Sequence, residues 1–397
     1  MQSTFTLTVQ RPLYILPLIV LTQFAGTSLW FAGNAILADI PALATRPHAI
    51  GHITSAVQIG FIIGTLVFAI LTIADRFSPV KVFFVSSLLA AGFNACTLWV
   101  ADNYGYMLLF RFLTGFMLAG IYPVGMKIAA DWFDKGLGKA LGYLVGALVL
   151  GTAFPHFLKG VSVHFSWQQV VLFTSAFALT GGLLILTFVP DGPFKKQGSG
   201  FHPRILGQVF RSKEFKAASF GYFGHMWELY TLWAFVPVML TMNTKRYGIT
   251  YNVPLWSFII IGIGGISCMT GGYLSQKIGS ARVARYALVG SCICAASSFF
   301  FINMPPWIFL PYLIIWGITV TPDSPQFSSL TALAAPPAYK GTAVTAVVCI
   351  GFTISIISIQ IISYLFTLYP QTIVFTTLAI GPLLGIIAFR RQVAAAR

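Results

Sequence analysis

The chain has 397 residues, of which 57% are hydrophobic and 8% charged, with a mean hydropathy of +0.83 and a formal net charge of +15. A water-soluble domain carries roughly 25% charged residues to solvate its surface, so this composition excludes a globular soluble protein and points to lipid as the solvent. Apolar stretches of about 20 residues, long enough to cross about 30 Å of hydrocarbon as helix, recur along the whole length, whereas the alternating segments of about ten residues expected of a transmembrane β-barrel do not.

The N-terminal stretch MQSTFTLTVQ lacks the charged region, apolar region and cleavage site of a signal peptide, so the first apolar segment is expected to remain in the protein. Punctuation by charge, Pro and Gly predicts helices over 13–38, 51–74, 80–101, 105–128, 139–162 and 168–189. The polar run from Asp191 to Lys216 then reads as a linker, with a short amphipathic helix expected near Arg204 to Phe215. Six more helices follow over 217–242, 254–276, 284–303, 306–334, 341–364 and 370–389. The expected fold is an all-α membrane protein of 12 transmembrane helices in two pseudo-symmetric six-helix bundles, residues 1–190 and 217–397, joined by a linker at 191–216. Five cysteines (Cys96, Cys268, Cys292, Cys294 and Cys349) fall inside apolar segments without zinc-ligand spacing and read as small core residues.

The basic balance is a topology signal. Of the 24 Lys and Arg, 19 fall before the first helix, after the even-numbered helices or in the linker, and four (Arg46, Lys159, Lys245 and Arg246) fall on the opposite side. That bias is the positive-inside rule, which predicts cytoplasmic termini and linker in a multi-pass protein of the inner membrane and leaves no nucleic-acid footprint to explain.

The halves also repeat. Aligning Asp75 with Gln276 sets an offset of about 201, and at nearly that offset Gly115 meets Gly317, Pro123 meets Pro325, and Gly138-x-Ala meets Gly341-x-Ala. At these residues the chain resembles the major facilitator superfamily, whose loop signature runs Gly-x-Leu-Ala-Asp-Arg-x-Gly-Arg-Arg. The first copy keeps Asp75, Arg76 and Lys81, with Leu71 and Ser78 at the glycine positions. The second keeps Gly272, Leu274, Lys277, Gly279 and Arg282, with Gln276 in place of the Asp. The run from Arg111 to Gly115 resembles the family's Arg-x-x-x-Gly element, and Gly142, Gly146, Gly151 and Pro155 resemble its Gly/Pro-rich gating helix. The resemblance implies that helices 1, 4, 7 and 10 line a central cavity around which helices 2, 5, 8 and 11 rock. On the residues alone, Asp75, Arg76, Lys277 and Arg282 form loop salt bridges that make and break as the halves move, or serve only to set topology.

Charge inside the membrane costs roughly 2.5–3.5 kcal/mol per residue on insertion scales, so a retained one usually has work to do. Among nine carboxylates only Glu228 and Asp323 fall deep within predicted helices. They are the candidate proton carriers, a low-dielectric setting favouring the neutral carboxyl; the alternative is a static pairing with polar neighbours. His225 shares a helix face with Glu228 and can relay a proton or meet a cation. Pro322 and Pro325 flank Asp323, where a helix break frees carbonyls or merely kinks the chain. Arg111 cannot shed its proton and needs an anion: a substrate carboxylate or phosphate, Asp39, or another acid. His156 and Lys159 add positive character, unless Lys159 snorkels to the headgroups. Gln23, Trp30, Asn34, Trp227, Tyr230, Tyr312 and Trp316 complete the candidate cavity lining.

No phosphate-binding Gly-x-x-x-x-Gly-Lys loop and no clustered nucleophile and base occur, so neither a nucleotide-driven pump nor an enzyme is expected, nor any metal centre or cofactor. The expected function is a proton-coupled secondary transporter, monomeric in the bilayer, that carries a small organic anion or polar metabolite. The alternative is a drug/proton antiporter exporting lipophilic cations.

Overall fold

The computed structural model describes residues 12–46, 48–133, 137–161, 165–195 and 200–394. Arg11, Asp134, Lys135, Lys196 and Arg397, all used in reading the sequence, lie outside them.

The described chain is almost entirely helical, as lipid requires of a backbone that must satisfy its own hydrogen bonds. In the first half run α1 (Ile15–Thr27, resuming as Ala32–Ile36), α2 (Ala49–Ile70), α3 (Pro79–Cys96), α4 (Tyr104–Leu118, resuming as Tyr122–Trp132), α5 (Leu137–Val161) and α6 (Trp167–Phe188). In the second run α7 (Lys213–Tyr247), α8 (Val253–Ile278), α9 (Ser280–Phe301), α10 (Pro306–Thr319, resuming as Ser324–Ala334), α11 (Lys340–Leu368) and α12 (Gln371–Val374, then Ile380–Ala394). Nine helices among the described residues are long and apolar enough to cross a membrane, or ten when the two parts of α1, bent by 47°, count as one. The two remaining members of the twelve are α7 and α10, which carry the two deep carboxylates, Glu228 and Asp323.

Besides α12, which passes through a 3-10 stretch at Phe375–Ala379, three predicted helices are broken, each for a local reason. In α1, Thr27 and Ser28 turn their hydroxyls back onto the Gln23 and Ala25 carbonyls at 2.8 and 2.7 Å, competing with the helical ladder. The resumed parts of α4 and α10 each begin with a proline in the first turn, Pro123 and Pro325, the place where a missing N–H costs least. These two prolines are one of the pairs that the repeat offset matched. The expected linker helix is only Leu206–Val209 after a tight turn at Pro203–Ile205, and α7 starts at Lys213.

Packing repeats between the halves. Helices α2 and α4, α3 and α6, α1 and α6, and α1 and α5 pair in the first half; α8 and α10, α9 and α12, α7 and α12, and α7 and α11 pair in the second. The matched glycines show why. A Cβ on Gly115 would lie 2.0 Å from the Val57 carbonyl oxygen of α2, and one on Gly317 would lie 2.2 Å from the Ile260 carbonyl oxygen of α8. Each lets two backbones touch, the membrane substitute for a hydrophobic driving force. Across the halves the main contacts are α5 with α8 and α2 with α11. The first is tight, with Gly146 against the Gly265 carbonyl. The second is polar, pairing Gln58 Nε2 with Ser355 Oγ at 3.0 Å, Gln360 Nε2 with Ser55 Oγ at 2.7 Å, and His48 Nδ1 with the Ser363 carbonyl at 3.0 Å.

Candidate substrate and coupling site

Between the halves lies a small void of about 40 Å³, walled by Tyr122 of α4, Val145, Leu148 and Val149 of α5, one stripe of α7, Cys268 of α8, Thr321, Ser324 and Ser328 of α10, and Val348 and Phe352 of α11. That is room for about three waters and no metabolite. Larger cavities flank it: one of about 510 Å³ on the face bearing the linker, and one of about 1,020 Å³ on the opposite face. An aromatic plug lies between the void and the opposite face. Trp30 packs against Phe61, Tyr230 and Phe352 with ring centroids 4.9, 5.7 and 5.6 Å away, and Tyr230 meets Trp233 at 5.2 Å. The indole N–H groups of Trp30 and Trp233 are buried without a partner among the described residues, an expensive state for a donor unless something else meets it.

Helix α7 divides its faces. Tyr222, Met226, Leu229, Tyr230 and Trp233, at helical spacing, line the void. The other face turns into its own bundle, with Gly221 against Phe327 and Gly224 against the Gly381 carbonyl. On that inner face His225 Nδ1 lies 2.9 Å from Asp323 Oδ1, and Glu228 Oε1 accepts from Trp316 Nε1 at 2.6 Å. All four side chains are fully buried. The α10 break positions Asp323: it occupies the cap position of the resumed segment but makes no capping bond, leaving its carboxyl for His225. Glu228 Oε2 and His225 Nε2 have no partner among the described residues. The structure thus brings His225, Glu228, Asp323 and Trp316 together beside the void rather than on its wall; Ser324, next to Asp323, is on the wall. An added net charge at such depth is expensive, so gaining or losing a proton there must be matched by some other movement.

Arg111 sits apart from that group. Its Nη1 donates to Asn94 Oδ1 at 2.8 Å, and Nη2 donates to the Leu29 and Trp30 carbonyls, both at 2.8 Å. Those carbonyls are the ones released by the α1 break. Asn94 is anchored in turn by Ser175 at 2.9 Å and Thr174 at 3.3 Å. Asp39 pairs instead with Lys159, which also reaches the Ala35 carbonyl. His156 is buried, with Nε2 unpartnered among the described residues.

The other predicted lining residues scatter. Trp30 is in the plug, and Tyr230 is in both plug and void. Asn34 donates to Thr54 at 2.7 Å and borders the opposite-face cavity. Gln23 packs against Gly125 within the first bundle; Trp227 packs on Gly381 of α12 and donates to the Thr377 carbonyl at 3.3 Å. Tyr312 donates to the Cys294 carbonyl at 2.7 Å and stacks on Phe301 at 4.7 Å. In the loops Asp75 pairs with Lys127 at 2.8 Å, at the rim of the linker-face cavity. Lys277 lies over the Tyr273 ring at 5.0 Å, while Arg76 and Arg282 end α2's loop extension and begin α9. Sequence reasoning missed Tyr122, Tyr222, Phe61, Phe352 and Asn94. The repeating stripe Tyr222, Met226, Tyr230, Trp233 was the available signal for the first face. Among the described residues no three His, Cys, Asp or Glu side chains converge to hold a metal.

A family model described as Major Facilitator Superfamily matches residues 72–359. A galacturonate transporter of Dickeya chrysanthemi is 23% identical over 198 residues, covering 44% of this chain and 56% of that protein. The niacin transporter NiaP of Acinetobacter baylyi is 30% identical over 158 residues, 34% of this chain and 36% of its own. The bovine protein named solute carrier family 22 member 1 is 25% identical over 162 residues, covering 41% of this chain and 28% of that protein. The matches thus span about a quarter to a half of these relatives' length. Among solved structures, the nucleoside transporter NupG superposes with a TM-score of 0.72 at 15% identity, covering 95% of this chain and 98% of that one. The proton:xylose symporter XylE superposes with a TM-score of 0.72 at 14% identity, covering 95% of each chain. At such identity these likenesses establish the fold.

Proposed function

The chain belongs to the Major Facilitator Superfamily of membrane transporters, and we propose that it is a proton-coupled secondary transporter carrying a small organic anion or similar polar metabolite by alternating access. The carrying observation is the small void between the halves, too small for a metabolite and flanked by a larger cavity on each face. A passenger fits only if the halves part, first toward one face and then toward the other. The walls suit a small ring compound: aromatic faces to stack on, with tyrosine hydroxyls and the unpartnered Trp233 N–H to donate to its oxygens. Arg111 is committed to carbonyls, so neutral donors bind the carboxylate. The named cargo of two relatives, galacturonate and niacin, are small ring acids and agree with such a site.

His225, Glu228 and Asp323 are the proposed proton carriers, packed behind the wall, with His225 paired to Asp323 and Glu228 held by Trp316. The charge bias supports an inner-membrane orientation with both termini cytoplasmic, and the proposed unit of function is the monomer, whose own two halves enclose the void.

The test is uptake into proteoliposomes under an imposed pH gradient, with galacturonate, nicotinate and xylose beside a lipophilic cation. Acid outside is expected to drive accumulation of one of the carboxylates. Glu228→Gln should abolish accumulation while leaving exchange of labelled for unlabelled substrate at half or more of its rate. Gradient-independent flux, or transport of the cation alone, would overturn the reading.

A further inference from the structure

The cavity on the face opposite the linker is charged in one sense. It is a vestibule of about 1,020 Å³ between the resumed end of α1 and the far end of α7, and its only charged lining residues among those described are Lys245 and Arg246. Among the described residues neither is paired with a carboxylate. Arg246 Nη1 donates to the neutral Asn303 side chain at 2.5 Å, which holds the guanidinium at the cavity wall. Asp39, which follows the lining residue Ala38, is taken by Lys159 of α5. The linker-face cavity is the contrast: its charged lining residues are Asp75 and Lys127, paired with each other at 2.8 Å. One mouth of the transport path therefore carries two unopposed cations and the other carries a neutral pair.

The scale makes this consequential. A cavity of that volume is on the order of 10 Å across, comparable to the screening length of about 8 Å at physiological ionic strength. Low-dielectric walls further focus the field into the mouth. Both cations also lie in the last turn of α7, where the carbonyl end of the helix favours positive charge. That accounts for basic residues at the helix end, but not for a lining without acids or for the tether to Asn303.

We propose that this vestibule is the loading site for a carboxylate-bearing passenger, with Lys245 and Arg246 as the cations that draw it in from the face opposite the linker. The inference rests on the organic-anion reading above and adds a direction to it: the anion enters through the mouth whose own lining is cationic, although most of the chain's Lys and Arg lie outside the cavity on the other face. Lys245 and Arg246 are steering residues that act before the plug opens, so they govern capture rather than the later movement.

Two measurements test this. In the first, initial uptake of the transported carboxylate is followed from about 0.02 to about 0.2 M salt, across which screening tightens from about 20 Å to below 8 Å. The KM of the unmodified protein should rise several-fold with salt. The double variant Lys245→Gln/Arg246→Gln should have a KM about three- to tenfold higher at low salt, no salt dependence, and an unchanged kcat. An unaltered KM would overturn the proposal.

The second needs no passenger. Thr241, on the vestibule wall, is replaced by Cys, and its modification rates by anionic and cationic methanethiosulfonates are compared, with the unmodified chain as background. The anionic reagent should be favoured, and neutralising both cations should lower that preference about fivefold or more. Equal rates in both proteins would overturn the vestibule's charge. A preserved rate preference with no carboxylate transported by any form would instead overturn the organic-anion reading, and the passenger named here with it. Equal thermal melting of the variants checks that all remain folded.

Discussion

Arg111 was legible in the sequence as a cation that had to find an anion, yet its partners are three neutral acceptors. No residue pattern announces such a role, because the acceptors are backbone carbonyls that exist as free groups only once α1 has broken between Thr27 and Ala32. Asn94, a lone amide in an apolar helix, was the visible half of the arrangement. Removing the guanidinium strands two buried carbonyls and the Asn94 amide oxygen. Arg111→Ala is therefore expected to lower stability by about 3 kcal/mol or more, read as a fall in melting temperature in detergent. Arg111→Lys, which keeps the charge but loses the fork, should recover part of it. Unchanged melting with a raised KM would instead make Arg111 a substrate contact. Glu228 and Asp323 were found by depth alone, since a carboxylate in a lipid-spanning helix has few innocent explanations. Their pairing with Trp316 and His225 depended on how α7 is rotated, which periodicity suggests but packing decides.

At the scale of helices, the repeat was the most informative signal. Gly115 and Gly317 were matched by offset, and both serve to bring a backbone carbonyl against the fourth helix of their half. The same substitution should therefore hurt in both places. Gly115→Ala and Gly317→Ala are each expected to destabilise by about 1–3 kcal/mol through overpacking, whereas Gly92→Ala, whose Cβ would meet nothing within 4 Å, should melt like the parent. A drop confined to one of the matched pair would count against the symmetry. What the sequence hid was the discontinuity in α1. The break in α1 comes from hydroxyls competing for carbonyls, and Ser and Thr occur in many unbroken helices of this chain. Pro123 and Pro325 marked the other two breaks in plain view.

At the scale of the whole molecule, the two seams between the halves differ in kind: α5 and α8 meet through glycines, α2 and α11 through a ladder of amides, hydroxyls and a histidine. The alternating access proposed above requires the α2–α11 contact to part where it lies far from the linker. A Cβ on Gly51 would lie 3.0 Å from Ser363 Cβ, close to the 3.5–4.5 Å typical of a disulfide. The pair Gly51→Cys/Ser363→Cys should therefore cross-link under mild oxidation, stop uptake, and recover on reduction. Uptake that persists in the fully cross-linked protein would rule out opening at that seam.

The buried ionisable groups of α7 and α10 also bear on how the protein is made. A segment leaving the ribosome is offered to the bilayer and stays if it is apolar enough, and α7 must do so carrying His225 and Glu228. Glu228 finds its hydrogen bond on a tryptophan 88 residues downstream, and His225 finds Asp323 later still. When α7 is synthesised neither partner exists. Assembly of the second half is thus expected to be collective, with α7 settling fully only once α10 has arrived to meet its buried polar groups.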